Sequence, residues 1–205
     1  MLYALFADLL EYPTWRIVDQ TRATINLLQL ESPQAASQLE QFAALLKHTP
    51  FERLEEIYTS TFDLQVVCYP YIGYHLFGES YKRGAFLAQL KQDYRAVGLV
   101  NEAELPDHIG MVLRFLSRVP AEHEVGRDLL ERCLLPALTA MTKQFPDNEN
   151  AYFDIMGALH QWLQPGHAIY ELPIQMDLSK LYSSEPVTLQ MPAGCNVLSP
   201  LNVEN

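Results

Sequence analysis

Pro106-Asp-His-Ile-Gly-Met-Val-Leu-Arg-Phe-Leu-Ser-Arg-Val-Pro120 is the stretch that decides the fold class of this chain. Between its two prolines, Ile109, Val112, Leu113 and Leu116 recur at helical spacing, and Met111 and Phe115 widen their stripe. An apolar face that broad belongs to a helix enclosed by neighbours on most sides. Pro106 is expected to open the helix, because a first-turn proline gives up only an N–H that has no helical partner, and Pro120 to end it. A buried central helix needs others around it.

The flanking sequence supplies them. Residues 2–10 are an apolar run ended before Pro13, and Thr14 can cap a second helix with Ile17, Thr21, Ile25 and Leu28 on one face. Ser32-Pro33 opens a third, aligning Ala35, Leu39, Phe42 and Leu46, and Pro50 introduces a fourth with Phe51, Leu54, Tyr58 and Phe62. Helical spacing returns after Gly84 with Phe86, Leu90, Tyr94 and Val97, closed by Gly98 as a C-terminal glycine. Ala121 to Phe145 carries Val125, Leu129, Cys133, Leu138, Met141 and Phe145 inward, with Pro136 expected to kink or break it. Glu149 to Gln164 aligns Tyr152, Met156, Leu159 and Leu163. From Pro165 on, the final forty-one residues hold five prolines and little periodicity. The expectation is an all-α, single-domain helical bundle over residues 1–164 with a mostly irregular, proline-rich C-terminal tail over 165–205.

Composition narrows the function classes. An apolar fraction of 49% and a charged fraction of 19% are those of an ordinary globular protein. The net charge of −11 disfavours nucleic acid, a polyanion; such acidity either simply keeps the chain soluble or attracts a basic peptide. Cys68, Cys133 and Cys195 are far apart and odd in number, so neither a disulfide framework nor a CxxC site is expected, and each reads as a reduced cytosolic residue. The N-terminus has Asp8 within its apolar run and no basic region, unlike a signal peptide. No apolar run of about eighteen residues is present to span a membrane. A cytoplasmic protein without membrane insertion is expected.

The helical pattern fails between Asp63 and Gly84. This segment holds one proline, three glycines and the rings of Tyr69, Tyr71, Tyr74, Phe77 and Tyr81, with room for a short helix around Ile72–Phe77. Aromatics in an irregular segment either plug a core or line a groove for a peptide. Glu79 follows Gly78, where the backbone can turn sharply, and can either meet a guest arginine or pair with Arg83 in the same segment. Asp107 and His108 invite an acid–base reading, yet neighbours on a helix point about 100° apart, and Asp107 also suits a positive helix start. No histidine pair has metal-ligand spacing, and no nucleotide-binding or nucleophile-elbow motif is present.

Four motifs, Tyr58-x-x-Thr61-Phe62-Asp63, His75-Leu-Phe-Gly-Glu-Ser-Tyr-Lys-Arg-Gly84, Tyr94-Arg-Ala-Val-Gly98 and Glu104-Leu-Pro-Asp-His108, occur in that order. Together they resemble the nitrate reductase delta-subunit (NarJ-type) chaperones, relatives of the TorD and DmsD chaperones of molybdoenzymes. The likeness is clearest over residues 58–119 and extends from residue 1 to about 165. It implies a cytoplasmic, all-helical chaperone that is not part of the finished enzyme. Such a chaperone binds the N-terminal segment of a molybdoenzyme catalytic subunit, often a twin-arginine leader or its remnant. It holds the apoenzyme during anaerobic respiratory enzyme assembly while molybdenum cofactor and iron–sulfur clusters are installed, and needs no cofactor of its own. Carried over, the binding surface comprises Gly78, Glu79, Arg83, Pro106, Asp107 and His108, to which the aromatic segment adds Tyr71, Tyr74 and Phe77. Cys68-Tyr-Pro-Tyr71 departs from the family pattern, which leaves a relative of nitrate reductase open as client. A monomer, or a homodimer formed by helix exchange, is expected. Two alternatives belong to other classes: a hydrolase using Asp107 and His108, and a helical scaffold subunit that stays in a stable complex.

Overall fold

A computed structural model of the chain describes residues 1–64, 67–101, 103–146 and 150–164. Among them the regular structure is helical: α1 (Leu2–Leu9), α2 (Ile17–Glu31), α3 (Pro33–Leu46), α4 (Phe51–Phe62), α5 (Ile72–Phe77), α6 (Tyr81–Ala96), α7 (Ile109–Leu116), α8 (Glu124–Leu129), α9 (Leu135–Thr142) and α10 (Ala151–Leu163). A π-helical turn, Leu130–Leu134, joins α8 to α9. Residues 165–205, with Cys195, and the expected helix start at Glu149 lie outside the described residues.

The apolar stripes build the interior as their periodicity requires. α10 packs along α3, α3 along α2, and α1 against both α2 and α7. Phe6, Phe42, Phe86, Phe115 and Tyr152 are fully buried, and Tyr58, Phe62 and Tyr152 pack edge-on or tilted at 5.0–5.5 Å between centroids. Each such ring removed from water contributes about 1.5–3 kcal/mol. Pro33 sits in the first turn of α3, and Asn150 caps α10 by accepting from the Tyr152 N–H at 2.9 Å. Seven of the eight residues of α7 are buried, as the breadth of its stripe demands.

Several expectations are corrected. Pro106 does not open α7; it lies in the preceding turn, and His108 is the N-cap. α6 starts at Tyr81, before Gly84, because the extended backbone of Ser80 already sets the helix start. The 121–145 segment is several elements. Pro136 lacks the N–H that an α-helix uses and its ring crowds the preceding turn, and the wider π turn just before it accommodates that mismatch. Val125 and Phe51, both assigned inward, are 40% and 39% exposed, since each lies in the first turn of its helix, beyond the packed region. The short helix over Ile72–Phe77 is present.

Candidate peptide-binding site

The irregular segment and the Pro106 turn are hydrogen-bonded to each other. The Ile72 N–H donates to the Asp107 carbonyl and the Ile109 N–H to the Pro70 carbonyl, both at 2.8 Å, forming an antiparallel bridge between Tyr71 and His108. The Tyr94 hydroxyl donates to the Pro106 carbonyl at 2.8 Å. Val67 and Cys68 N–H groups donate to the Thr61 carbonyl at 2.9 and 3.1 Å, tying the same segment to the end of α4.

Asp107 is fully buried, and Arg83 Nε donates to its Oδ2 at 2.8 Å. The Arg83 guanidinium also lies 5.6 Å from the Tyr71 ring centroid and 5.9 Å from that of Tyr74. Planar guanidinium on aromatic faces, with a carboxylate behind it, is a favourable site for a largely desolvated cation. Gly73 makes the arrangement sterically feasible: a Cβ there would stand 2.7 Å from Asp107 Oδ2. Asp107 Oδ1 is buried without a hydrogen-bond partner among the described residues. Arg83 thus pairs with Asp107, whereas Glu79 projects into solvent at the α5–α6 turn.

His108 Nδ1 accepts from the Gly110 N–H at 3.1 Å and so caps α7. Its ring is edge-on to Tyr71 at 5.6 Å. Burial lowers the His108 pKa, opposed by the charges of Glu104, Glu11, Asp107 and Asp63, and the cap bond requires Nδ1 unprotonated. Tyr71 donates its hydroxyl to Glu104 Oε1 at 3.3 Å; burial, then the Glu104 charge, pushes its pKa up to about 12. Glu104 Oε1 also accepts from the Leu105 N–H at 2.7 Å. Gly78 has φ +59° and ψ −157°, a conformation that belongs to glycine.

Of the nine residues singled out in the sequence, Tyr71, Tyr74, Arg83, Pro106, Asp107 and His108 converge in this cluster. Gly78 and Glu79 form its outer turn, and half-buried Phe77 packs edge-on to buried Phe86 at 5.4 Å. Sequence reasoning did not single out Gly73, Tyr94 or Glu104. Glu104 was legible as the first residue of its motif; nothing in the order of residues revealed that Gly73 meets Asp107. A cleft of about 440 Å³ lies beyond Pro106, lined by Lys91, Tyr94, Leu99, Glu104, Leu105 and Met111 among others. Asp107 and His108 spend their side chains on different partners, Arg83 and Gly110, which is not the convergence an acid–base pair requires. Burial pushes the Cys68 and Cys133 thiols up to about 12, which leaves them unreactive. Among the described residues no group of three metal-ligating side chains occurs, and no helix is long and apolar enough to cross a membrane.

The build is that of the expected all-α helical bundle, and the diverging Asp107 and His108 side chains speak against the hydrolase reading. The chain belongs to the nitrate reductase delta subunit family, whose model matches residues 27–154, and it is not an enzyme. A Bacillus subtilis (strain 168) protein described as a probable nitrate reductase molybdenum cofactor assembly chaperone, NarJ, is 29% identical over 150 residues, 73% of this chain and 76% of that one. A crystal structure described as a candidate redox enzyme maturation protein from Archaeoglobus fulgidus matches with a TM-score of 0.55 and 26% identity, covering 78% of this chain and 91% of the other.

Proposed function

We propose that this chain is a cytoplasmic, system-specific chaperone that binds the N-terminal segment of a molybdoenzyme catalytic subunit, nitrate reductase or a relative, and assists molybdenum cofactor insertion before assembly or export. The observation carrying this reading is the junction of the 68–84 and 104–108 segments, which combines partly exposed tyrosines with carboxylates on a chain of net charge −11. A basic, amphipathic N-terminal segment is complementary to it in both charge and apolar character.

In this reading Tyr71, Tyr74 and Phe77 supply apolar contact, Gly78 positions Glu79 at the rim, and Glu79 meets a client cation. Pro106 and His108, both buried, back the opposite wall from beneath. Asp107 acts through Arg83, whose guanidinium it holds against Tyr71 and Tyr74. Calorimetric titration of the full chain with a synthetic peptide of the client's N-terminus is expected to give measurable affinity. Glu79→Lys is expected to weaken it by about two- to fivefold, the range of an exposed charge pair. Undiminished binding by both Glu79→Lys and Asp107→Lys would sink the assignment of this groove.

A further inference from the structure

α2 and α3, which carry no part of the junction, enclose a groove of their own. α2 contributes Val18, Thr21, Arg22 and Ile25, and the end of α3 contributes Ala43, Leu46 and its C-cap Lys47; together they line a space of about 370 Å³. The α2 residues recur at helical spacing because one face of that helix forms the wall, which runs about 10 Å from Val18 to Ile25. Val18 is 46% exposed, and Ala43 and Leu46 are half-buried, so the groove leaves apolar surface facing water. The wall makes no polar demand on an occupant, since Thr21 is buried and its hydroxyl already donates to the Ile17 carbonyl at 2.7 Å.

The charges of the groove run against those of the molecule. The chain has 25 acidic and 14 basic side chains, yet two cations and no carboxylate line this space. Arg22 meets Asp19 only in a loose, largely exposed pair, Nη1 lying 3.7 Å from Oδ1, which leaves most of the guanidinium's donors unused. Lys47 takes part in no ion pair among the described residues. Arginine and lysine lay their methylene stems along apolar surface and keep their charged heads at its edge. Two such heads, brought to one apolar groove from separate helices, suit an anion at the mouth with an apolar body inside.

We propose that the α2–α3 groove binds a single-chain anionic amphiphile, a carboxylate carrying an unbranched alkyl tail. The tail lies along Val18, Ile25, Ala43 and Leu46, and Arg22 and Lys47 take the carboxylate. The volume is at the low end of the roughly 300–1,000 Å³ of small-molecule sites, which suits a narrow chain better than a bulky ring system. The occupant is a dissolved molecule and not a bilayer, because a chain of net charge −11 is repelled as a whole by an anionic membrane. A basic segment, the ligand proposed for the junction, is repelled by the same two cations, so this site is separate from that one and does not rest on it.

The test is an NMR titration of the isotope-labelled full chain with dissolved octanoate, hexanoate and 1-octanol. Octanoate is expected to shift the amide signals of Thr21, Ile25, Ala43 and Leu46 and to leave those of Tyr71 and Asp107 in place. Hexanoate should bind about tenfold more weakly, because two fewer CH₂ groups leave water. Arg22→Gln and Lys47→Gln should each weaken octanoate by about two- to fivefold and leave the response to 1-octanol unchanged. Ala43→Leu fills the groove and is expected to abolish the response to both, with unchanged thermal melting confirming the fold. Wild-type octanoate affinity in the Arg22→Gln/Lys47→Gln double variant overturns the proposal, as does an octanoate response centred elsewhere on the molecule. Sedimentation with phosphatidylglycerol vesicles, without any response to octanoate, also overturns it and assigns this face to a membrane surface.

Discussion

Asp107 shows how a residue's surroundings redefine what its type suggests. An aspartate beside a histidine reads as an acid–base pair or a helix-start charge, but this one is fully buried and holds Arg83. A buried pair offsets the desolvation of its members only while both are present. Asp107→Asn is therefore expected to lower folding stability by about 3 kcal/mol, because it leaves a largely enclosed guanidinium without its counter-charge. Adding Arg83→Gln to that background should change stability by less than about 1 kcal/mol, since the uncompensated cation is then gone. Urea denaturation of the four forms of this cycle measures the coupling; additive single effects would show that the two side chains act independently. The sequence exposed Asp107, His108 and Arg83 as notable, but not the pairing, because Arg83 lies twenty-four residues away and its partner was chosen by a chain reversal.

At the scale of elements, the apolar stripes predicted most helices and the helix ends less well. α3 and α10 emerge from periodicity because each buries a continuous stripe. The start of α7 does not, because Pro106 is compatible with a first helical turn and equally with the loop it occupies. What decides is His108, whose ring nitrogen accepts from the Gly110 N–H and fixes the cap two residues later. Phe51 and Leu39 illustrate the same limit, since both sat on apolar faces in the sequence. Leu39, fully buried on α3, is expected to cost about 2–5 kcal/mol on truncation to alanine. Phe51→Ala, at an exposed first-turn position, should stay within about 1 kcal/mol. Chemical denaturation of the two variants checks the contrast, and equal losses would contradict the placement of α4.

For the whole molecule, one buried and two half-buried histidines tie stability to pH. Burial is the leading cause that lowers the pKa of His75, His108 and His160 below the ordinary 6.5. Below pH 6.5 the unfolded chain takes up protons at these positions before the folded chain does, so stability rises with pH. Their contribution is fully present above that value and is lost as pH falls from it toward the lowered folded-state values. The denaturation midpoint should drop between pH about 7.5 and about 5.5, and drop less in His108→Gln. An identical pH response in that variant would remove His108 from the explanation.

The order of residues by itself determined an acidic, helical chain whose regularity breaks over residues 63–84, and whose four motifs belong to one family. These are local or compositional properties: periodicity, proline placement and net charge are read along the chain without knowing how it folds. Only the tertiary structure decided which charges remain available. Packing buried Asp107 against Gly73 and gave it Arg83, set Asp8 and Glu11 against one Arg114, and brought the Tyr71 hydroxyl to Glu104. Charges act through space and desolvation depends on enclosure, and neither distance nor enclosure is written in the spacing of residues along the sequence.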